Sequence, residues 1–133
     1  MQNDAVPTLT EQDLDRVVNA FYSRVRDDAL LGPIFDGAID DWGRHLGKLQ
    51  AFWSSVMLGS GRYKGQPMLA HIEQAPHMTE PAFARWLALW GETTDELLPA
   101  SQAAALQDKA ARIAESLALG IDFHRDRGLA SKN

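Results

Sequence analysis

With 133 residues, 45% apolar content and a formal net charge of -5, the chain is expected to form one domain (1–133, with a helical core over about 10–127). Such a domain buries roughly two thirds of its unfolded surface without covalent staples. The absence of cysteine excludes disulfides, iron–sulfur clusters and thiolate zinc sites and fits a reducing compartment. The acidic balance and the lack of a basic stripe argue against nucleic acid and anionic membrane surfaces, which leaves small ligands as the better expectation. The first fifteen residues lack a basic start and an apolar core, and no apolar run reaches membrane-spanning length, so the expected location is the cytoplasm.

No segment alternates long enough for a strand, and the predicted fold class is all-α. Thr10 is placed to cap a first helix with an acidic first turn (Glu11, Asp13) and an inner stripe of Leu14, Val17, Val18, Phe21, Tyr22 and Val25, which makes Tyr22 an inward phenol. LLGPIFDGAIDD is broken by Gly32, Pro33 and Gly37, which predicts a short helical turn and a corner plugged by Phe35. Asp40 or Asp41 then caps WGRHLGKLQAFWSSVML, where Trp42, Leu46, Leu49, Phe52, Trp53, Val56 and Met57 recur at helical spacing, His45 falls in the stripe, and Gly59 ends the helix. After a turn rich in Gly, Ser and charge, Pro67 opens a short helix, GQPMLAHIE, that places His71 beside Met68 and Ile72. EQAPHMTEP reads as a loop. Thr79 caps the next helix, with an inner stripe of Phe83, Trp86, Leu87, Trp90, Thr94 and Leu97 that ends at Pro99. Ser101 is the expected cap of a last helix in which Leu106, Ala110, Ile113, Ala114, Leu117 and Ile121 face inward, before the polar tail DRGLASKN frays.

His45 and His71 sit on two short-linked helical segments, and each offers an imidazole to an apolar space. That arrangement suits a flat, metal-centred group held between them, a haem. A lone histidine on an apolar helical face is more commonly a hydrogen-bonded core residue than a ligand. Its company here is Tyr22 and Trp86: three buried polar tips on three helices must satisfy one another, or converge on a bound ligand, or cost about 1 to 3 kcal/mol each. Trp42, Trp53 and Trp90 are read as core. His77 and His124 lack the spacing of a zinc site, no phosphate-cradling glycine loop occurs, and no serine sits in a nucleophile turn. Arg62, Tyr63 and Lys64 form an ordinary charged surface that also suits the two carboxylates of a haem edge.

In FY (Phe21, Tyr22), LGPIF (Leu31 to Phe35), WGRH (Trp42 to His45), FW (Phe52, Trp53), GQPMLAH (Gly65 to His71) and RWLALW around Trp86, the sequence resembles the truncated haemoglobins of group III, the P class, over nearly its whole length. The resemblance implies a shortened globin with two helices stacked over two around haem b. It makes His71 the iron ligand, His45 the distal histidine, Tyr22 the distal tyrosine and Trp86 the tryptophan completing the distal pocket. Phe35 is the implied corner phenylalanine, with Leu49, Phe52 and Met68 as further haem-lining residues. The paired glycines of the other truncated groups are missing, so their apolar gas tunnel is not expected. His77 has no family role.

Two functional classes follow. One is a monomeric protein that reversibly binds oxygen, nitric oxide or carbon monoxide. The other is a haem enzyme that turns over oxygen, peroxide or nitric oxide with a separate reductase. Donors around the ligand decide between carriage and activation, and the polar pocket leans towards the second. A haem-free helical interaction module is the third and blander reading.

Overall fold

The computed structural model describes residues 8–65 and 78–131, with side chains as far as Ile121. Among the described residues there are five helices and no strand: α1 (Glu11–Asp27), α2 (Leu31–Ala38), α3 (Trp42–Leu58), α4 (Glu80–Leu97) and α5 (Ala100–Ser131). The segment predicted to carry Met68 and His71, and the loop with His77, lie outside the described residues.

α1 is the helix on which the others are arranged, packing against α2, α3 and α4, while α5 packs on α4. Its start is a full capping box: the Thr10 hydroxyl accepts from the Asp13 N–H at 3.1 Å, and the Asp13 carboxylate accepts from the Thr10 N–H at 3.0 Å. All six residues of the predicted stripe are buried, with Leu14, Val17, Val18, Phe21 and Val25 fully so. Phe21 is the hub. Its ring meets Tyr22, Trp86 and Trp90 edge-on at centroid distances of 4.7, 5.7 and 4.9 Å, a geometry that sets the positive ring edge against the negative face. Trp90 in turn stacks on Trp53 at 4.6 Å, joining α4 to α3, and gives its indole N–H to the Leu106 carbonyl at 3.1 Å, joining α4 to α5.

Of the two candidate caps Asp40 and Asp41, Asp41 is the one that forms, and the predicted caps at Gly59 and Thr79 form as well. Asp41 accepts from the Arg44 N–H, Gly59 takes a left-handed φ of 68°, and Thr79 accepts from the Ala82 N–H. Four expectations change. The corner after α1 is an eight-residue helix, because Pro33 falls in its first turn, where no N–H donor is required. Asp28 supports that start by accepting from the Leu30 and Leu31 N–H groups and from Arg85 of α4 at 2.7 Å; these bonds hold its carboxyl below the usual range. α5 begins at Ala100 rather than after Ser101, since the Pro99 carbonyl already accepts from the Ala103 N–H. It also continues to Ser131, through Gly128, whose intrinsic penalty of about 1 kcal/mol does not break a helix. Within α4 the deepest residues are Ala82, Leu89, Trp90, Thr93 and Thr94, so the buried face is rotated from the predicted stripe and Phe83 is only half-buried. The Thr93 and Thr94 hydroxyls tolerate burial by bonding back to the Leu89 and Trp90 carbonyls.

α1 and α2 approach closely at Gly32, where a Cβ would lie 2.6 Å from the Arg26 carbonyl oxygen, whereas a Cβ at Gly37, in the same helix, meets nothing within 4 Å. Gly32→Ala is therefore expected to lower unfolding free energy by about 1 to 3 kcal/mol through overpacking. Gly37→Ala should be neutral or stabilising by up to about 1 kcal/mol. Urea midpoints of the two variants measure the contrast, and equal losses would contradict the close approach.

Candidate functional site

Successive positions on a helix point about 100° apart, so Phe21 and Tyr22 of α1 serve different neighbours. Phe21 faces the tryptophans of α4, and Tyr22 faces the space where α2, α3 and α4 converge. Its ring lies 5.8 Å from Phe35 of α2, and 6.1 and 6.4 Å from Trp42 and His45 of α3. Its hydroxyl accepts a hydrogen bond from the Trp86 indole of α4. Three side chains singled out in the sequence, Tyr22, His45 and Trp86, therefore meet around one phenol, with Phe35 beside them.

Tyr22 is 4% exposed. Burial withholds hydration from the phenolate and pushes the Tyr22 pKa up to about 12, with the Trp86 hydrogen bond opposing only part of that rise. At physiological pH the group is a neutral phenol. Because its oxygen already accepts from Trp86, its own proton remains to be donated elsewhere. His45 is half-buried in α3, edge-on to Tyr22 and, at 5.9 Å, to Trp42.

α3 departs from an ordinary core helix. Only Trp53 and Ser54 are buried, while Leu46, Leu49, Phe52, Val56 and Met57 are half-buried along its predicted stripe. Ser54 is satisfied by Glu11 and Ser60 at 2.6 Å each, a link that fixes the loop after α3 to the start of α1. In that loop Arg62 pairs with Glu11 at 2.6 Å, Tyr63 sets its ring edge-on to Phe52 at 5.4 Å and gives its backbone N–H to Ser55, and Lys64 is exposed. Together with Arg44 and Lys48 they line a hollow of 430 Å³ on the flank of α3. Arg44 and Lys48 were not singled out in the sequence. Their spacing of four residues on one helix, next to a cationic loop, is the signal that points to them.

Trp42, expected in the core, is half-buried at the rim. Its indole N–H donates to Asp36 at 3.1 Å, and the Arg26 guanidinium lies 4.7 Å from its ring centre. Starting the helix with this residue leaves the ring over the α1–α2 corner, where surface charges partner its outer side while Tyr22, Phe35 and His45 meet its inner side. A second hollow, of 320 Å³, opens there and reaches Tyr22.

An unfolded tyrosine ionises near pH 10 and the native Tyr22 near 12, so the stability it confers as a neutral phenol is complete below about pH 10 and is lost as pH rises through about 12. The parent is expected to lose about 3 kcal/mol across that window beyond what Tyr22→Phe loses, measured by urea unfolding at both ends. Parallel losses in the two proteins would contradict burial of the phenol.

A family model described as bacterial-like globin matches residues 9–118. The chain is 37% identical over 90 residues to a group 3 truncated hemoglobin of Campylobacter jejuni, an alignment covering 65% of this chain and 70% of that one. A crystal structure of a group III truncated hemoglobin from Campylobacter jejuni superposes with a TM-score of 0.78 at 31% identity, covering 84% of this chain and 91% of that one.

Proposed function

The chain belongs to the bacterial-like globin family, and from that premise we propose that it binds one haem b and holds oxygen and other diatomic gases beside Tyr22. The observation that carries this reading is the convergence of four helices on a buried, neutral phenol whose oxygen already accepts from Trp86. The fit of the cofactor rests on α3: a stripe of half-buried Leu49, Phe52 and Val56 running away from the polar trio suits a flat apolar macrocycle. In this reading His71 ligates the iron, and Phe35, Leu49, Phe52 and Met68 line the ring. Arg62, Tyr63 and Lys64 meet its carboxylates, with Arg44 and Lys48 as further cations of the same hollow.

When bound, the haem supplies an iron at which a diatomic gas is held and polarised. The chain's own residues do the rest. Tyr22 presents its proton to the negative end of the guest, and burial keeps water from competing for it. Trp86 occupies the phenol oxygen and so fixes the direction in which that proton points. His45, against both Tyr22 and Trp42, adds a donor or moves aside to admit the guest.

A second reading, a haem enzyme performing nitric oxide dioxygenation or peroxidase-type chemistry with an external reductase, is supported by the same donor set. Grouped donors around the guest stabilise developing charge as well as a resting ligand. Mixing the loaded protein under oxygen with nitric oxide, and separately with peroxide and a reductant, discriminates the two: turnover supports the enzyme, and simple exchange of ligand supports the carrier.

Haem titration of the purified chain is expected to give a Soret band saturating at one haem per chain. His71→Gly should lose the haem or regain it with added imidazole, and His45→Leu should retain it. The opposite pattern would reverse the assignment of the iron ligand.

Tyr22→Phe is expected to speed oxygen dissociation roughly ten- to a hundredfold, the equivalent of about 1.5 to 3 kcal/mol for a hydrogen bond to a charged partner. Trp86→Phe and His45→Leu should act in the same direction, and carbon monoxide dissociation should respond much less. Stopped-flow rates within about threefold of the parent for all three variants would contradict the polar-pocket reading, and equal effects on both gases would point to pocket shape.

A further inference from the structure

We propose that Trp42 is a gate over the route by which small molecules reach Tyr22, with Asp36 and Arg26 as its latch; the route's use by diatomic gases rests on the haem reading above. The floor of the 320 Å³ hollow between α1, α2 and α3 is Tyr22, and Ser23, Arg26, Asp36, Trp42 and Leu46 stand around it. The phenol itself is 4% exposed, so the hollow leads to it without laying it open.

Trp42 is held over this passage by surface contacts. Its indole N–H donates to the Asp36 carboxylate at 3.1 Å, the Arg26 guanidinium covers its ring at 4.7 Å, and Arg26 and Asp36 are themselves 3.8 Å apart. Its inner side meets the site: the ring lies nearly parallel to Phe35 at 6.5 Å and tilted to Tyr22 at 6.1 Å, with His45 edge-on at 5.9 Å. One indole therefore touches Tyr22, His45 and Phe35 on its inner side and a solvent-facing ion pair on its outer side. Trp90 shows the contrast expected of a purely structural tryptophan, 1% exposed with its N–H committed to a buried carbonyl.

The latch is also of the right strength. The side chains of Arg26 and Asp36 are 50% and 54% exposed, and ion pairs and hydrogen bonds in such positions are weak and screened by salt. A contact of that kind keeps a side chain closed most of the time while allowing rotamer excursions that open it. The hollow on the other flank of α3 is lined by none of the trio, so it offers no comparable path to Tyr22.

Two measurements test the gate, one of them independent of haem. In the chain without added haem, hydrogen exchange of the indole N–H groups is followed by nitrogen-labelled NMR in the parent, Asp36→Ala, Trp42→Ala and Arg112→Ala, the last altering a remote exposed pair on α5. Exchange at Trp86, whose N–H reaches Tyr22, should accelerate about fivefold or more in Asp36→Ala and Trp42→Ala, as expected for loss of roughly one hydrogen bond. Trp90 should keep its parental rate, which separates opening of the gate from general loosening of the fold. In the haem-loaded protein, carbon monoxide association after flash photolysis should rise about threefold or more in the same two variants and in Trp42→Phe, which keeps the plug and loses its bond to Asp36. Arg112→Ala should match the parent in both experiments. Unchanged Trp86 exchange in Asp36→Ala and Trp42→Ala, or acceleration shared equally by Trp90, would overturn the gate. If no haem binds, the function proposed above fails while the exchange measurement still decides the gate; if haem binds and association is unchanged, the gate fails and the function stands.

Discussion

The hydrogen bond from the Trp86 indole to the Tyr22 phenol ties the centre of this molecule together, since it joins α1 to α4 at a point where Phe35 of α2 and His45 of α3 also press on the ring. A buried hydroxyl without a partner costs about 1 to 3 kcal/mol, and Trp86 meets that demand at the oxygen. The hydroxyl proton is left free of that bond, on a ring that borders the space shared by α2, α3 and α4. In the proposed function, stability and chemistry meet in one pair of residues: the bond that makes burial of Tyr22 tolerable would also orient it as a donor.

The fold supports this arrangement by giving adjacent residues of α1 separate duties. Phe21 anchors the aromatic cluster of α4 through edge-on contacts with Trp86 and Trp90, and stacking of Trp90 on Trp53 brings α3 to that cluster. The remainder of the α3 stripe is half-buried, and in the proposed function it is the surface that the haem would cover. The cationic loop after α3 is fastened to α1 through Glu11, Ser54 and Ser60. The charges in it are therefore placed by the same helix that places Tyr22.

Much of this was legible in the amino-acid sequence because it depends on local chemistry. The α1 stripe follows from helical periodicity, and the caps at Thr10, Asp41, Gly59 and Thr79 follow from side-chain or glycine geometry acting within one turn. The convergence of Tyr22, His45 and Trp86 was expected from the need of buried polar tips for partners. What was less legible depends on how helices meet. The rotation of the α4 face towards Leu89 and Thr93 is set by packing against α1 and α5, and two threonines hidden by bonds to their own helix do not read as apolar. Trp42 read as core because its apolar bulk falls on the stripe; its polar partners, Arg26 and Asp36, come from two other elements and carry no periodic signal. The stretch at Leu31 read as a short helical turn rather than an eight-residue helix because the effect of a proline depends on its position in the first turn.

The proposed function depends on the Tyr22 proton being presented to a guest held at a bound haem. The infrared C–O stretching band of the carbon monoxide complex reads that donation directly, because a nearby positive proton weakens the C–O bond. The parent is predicted to show its main band at lower frequency than Tyr22→Phe, with Trp86→Phe broadening the band as the phenol loses its fixed orientation. Coincident bands in the parent and Tyr22→Phe would contradict the account, since the phenol would then be a packed core residue with its proton turned away from the pocket.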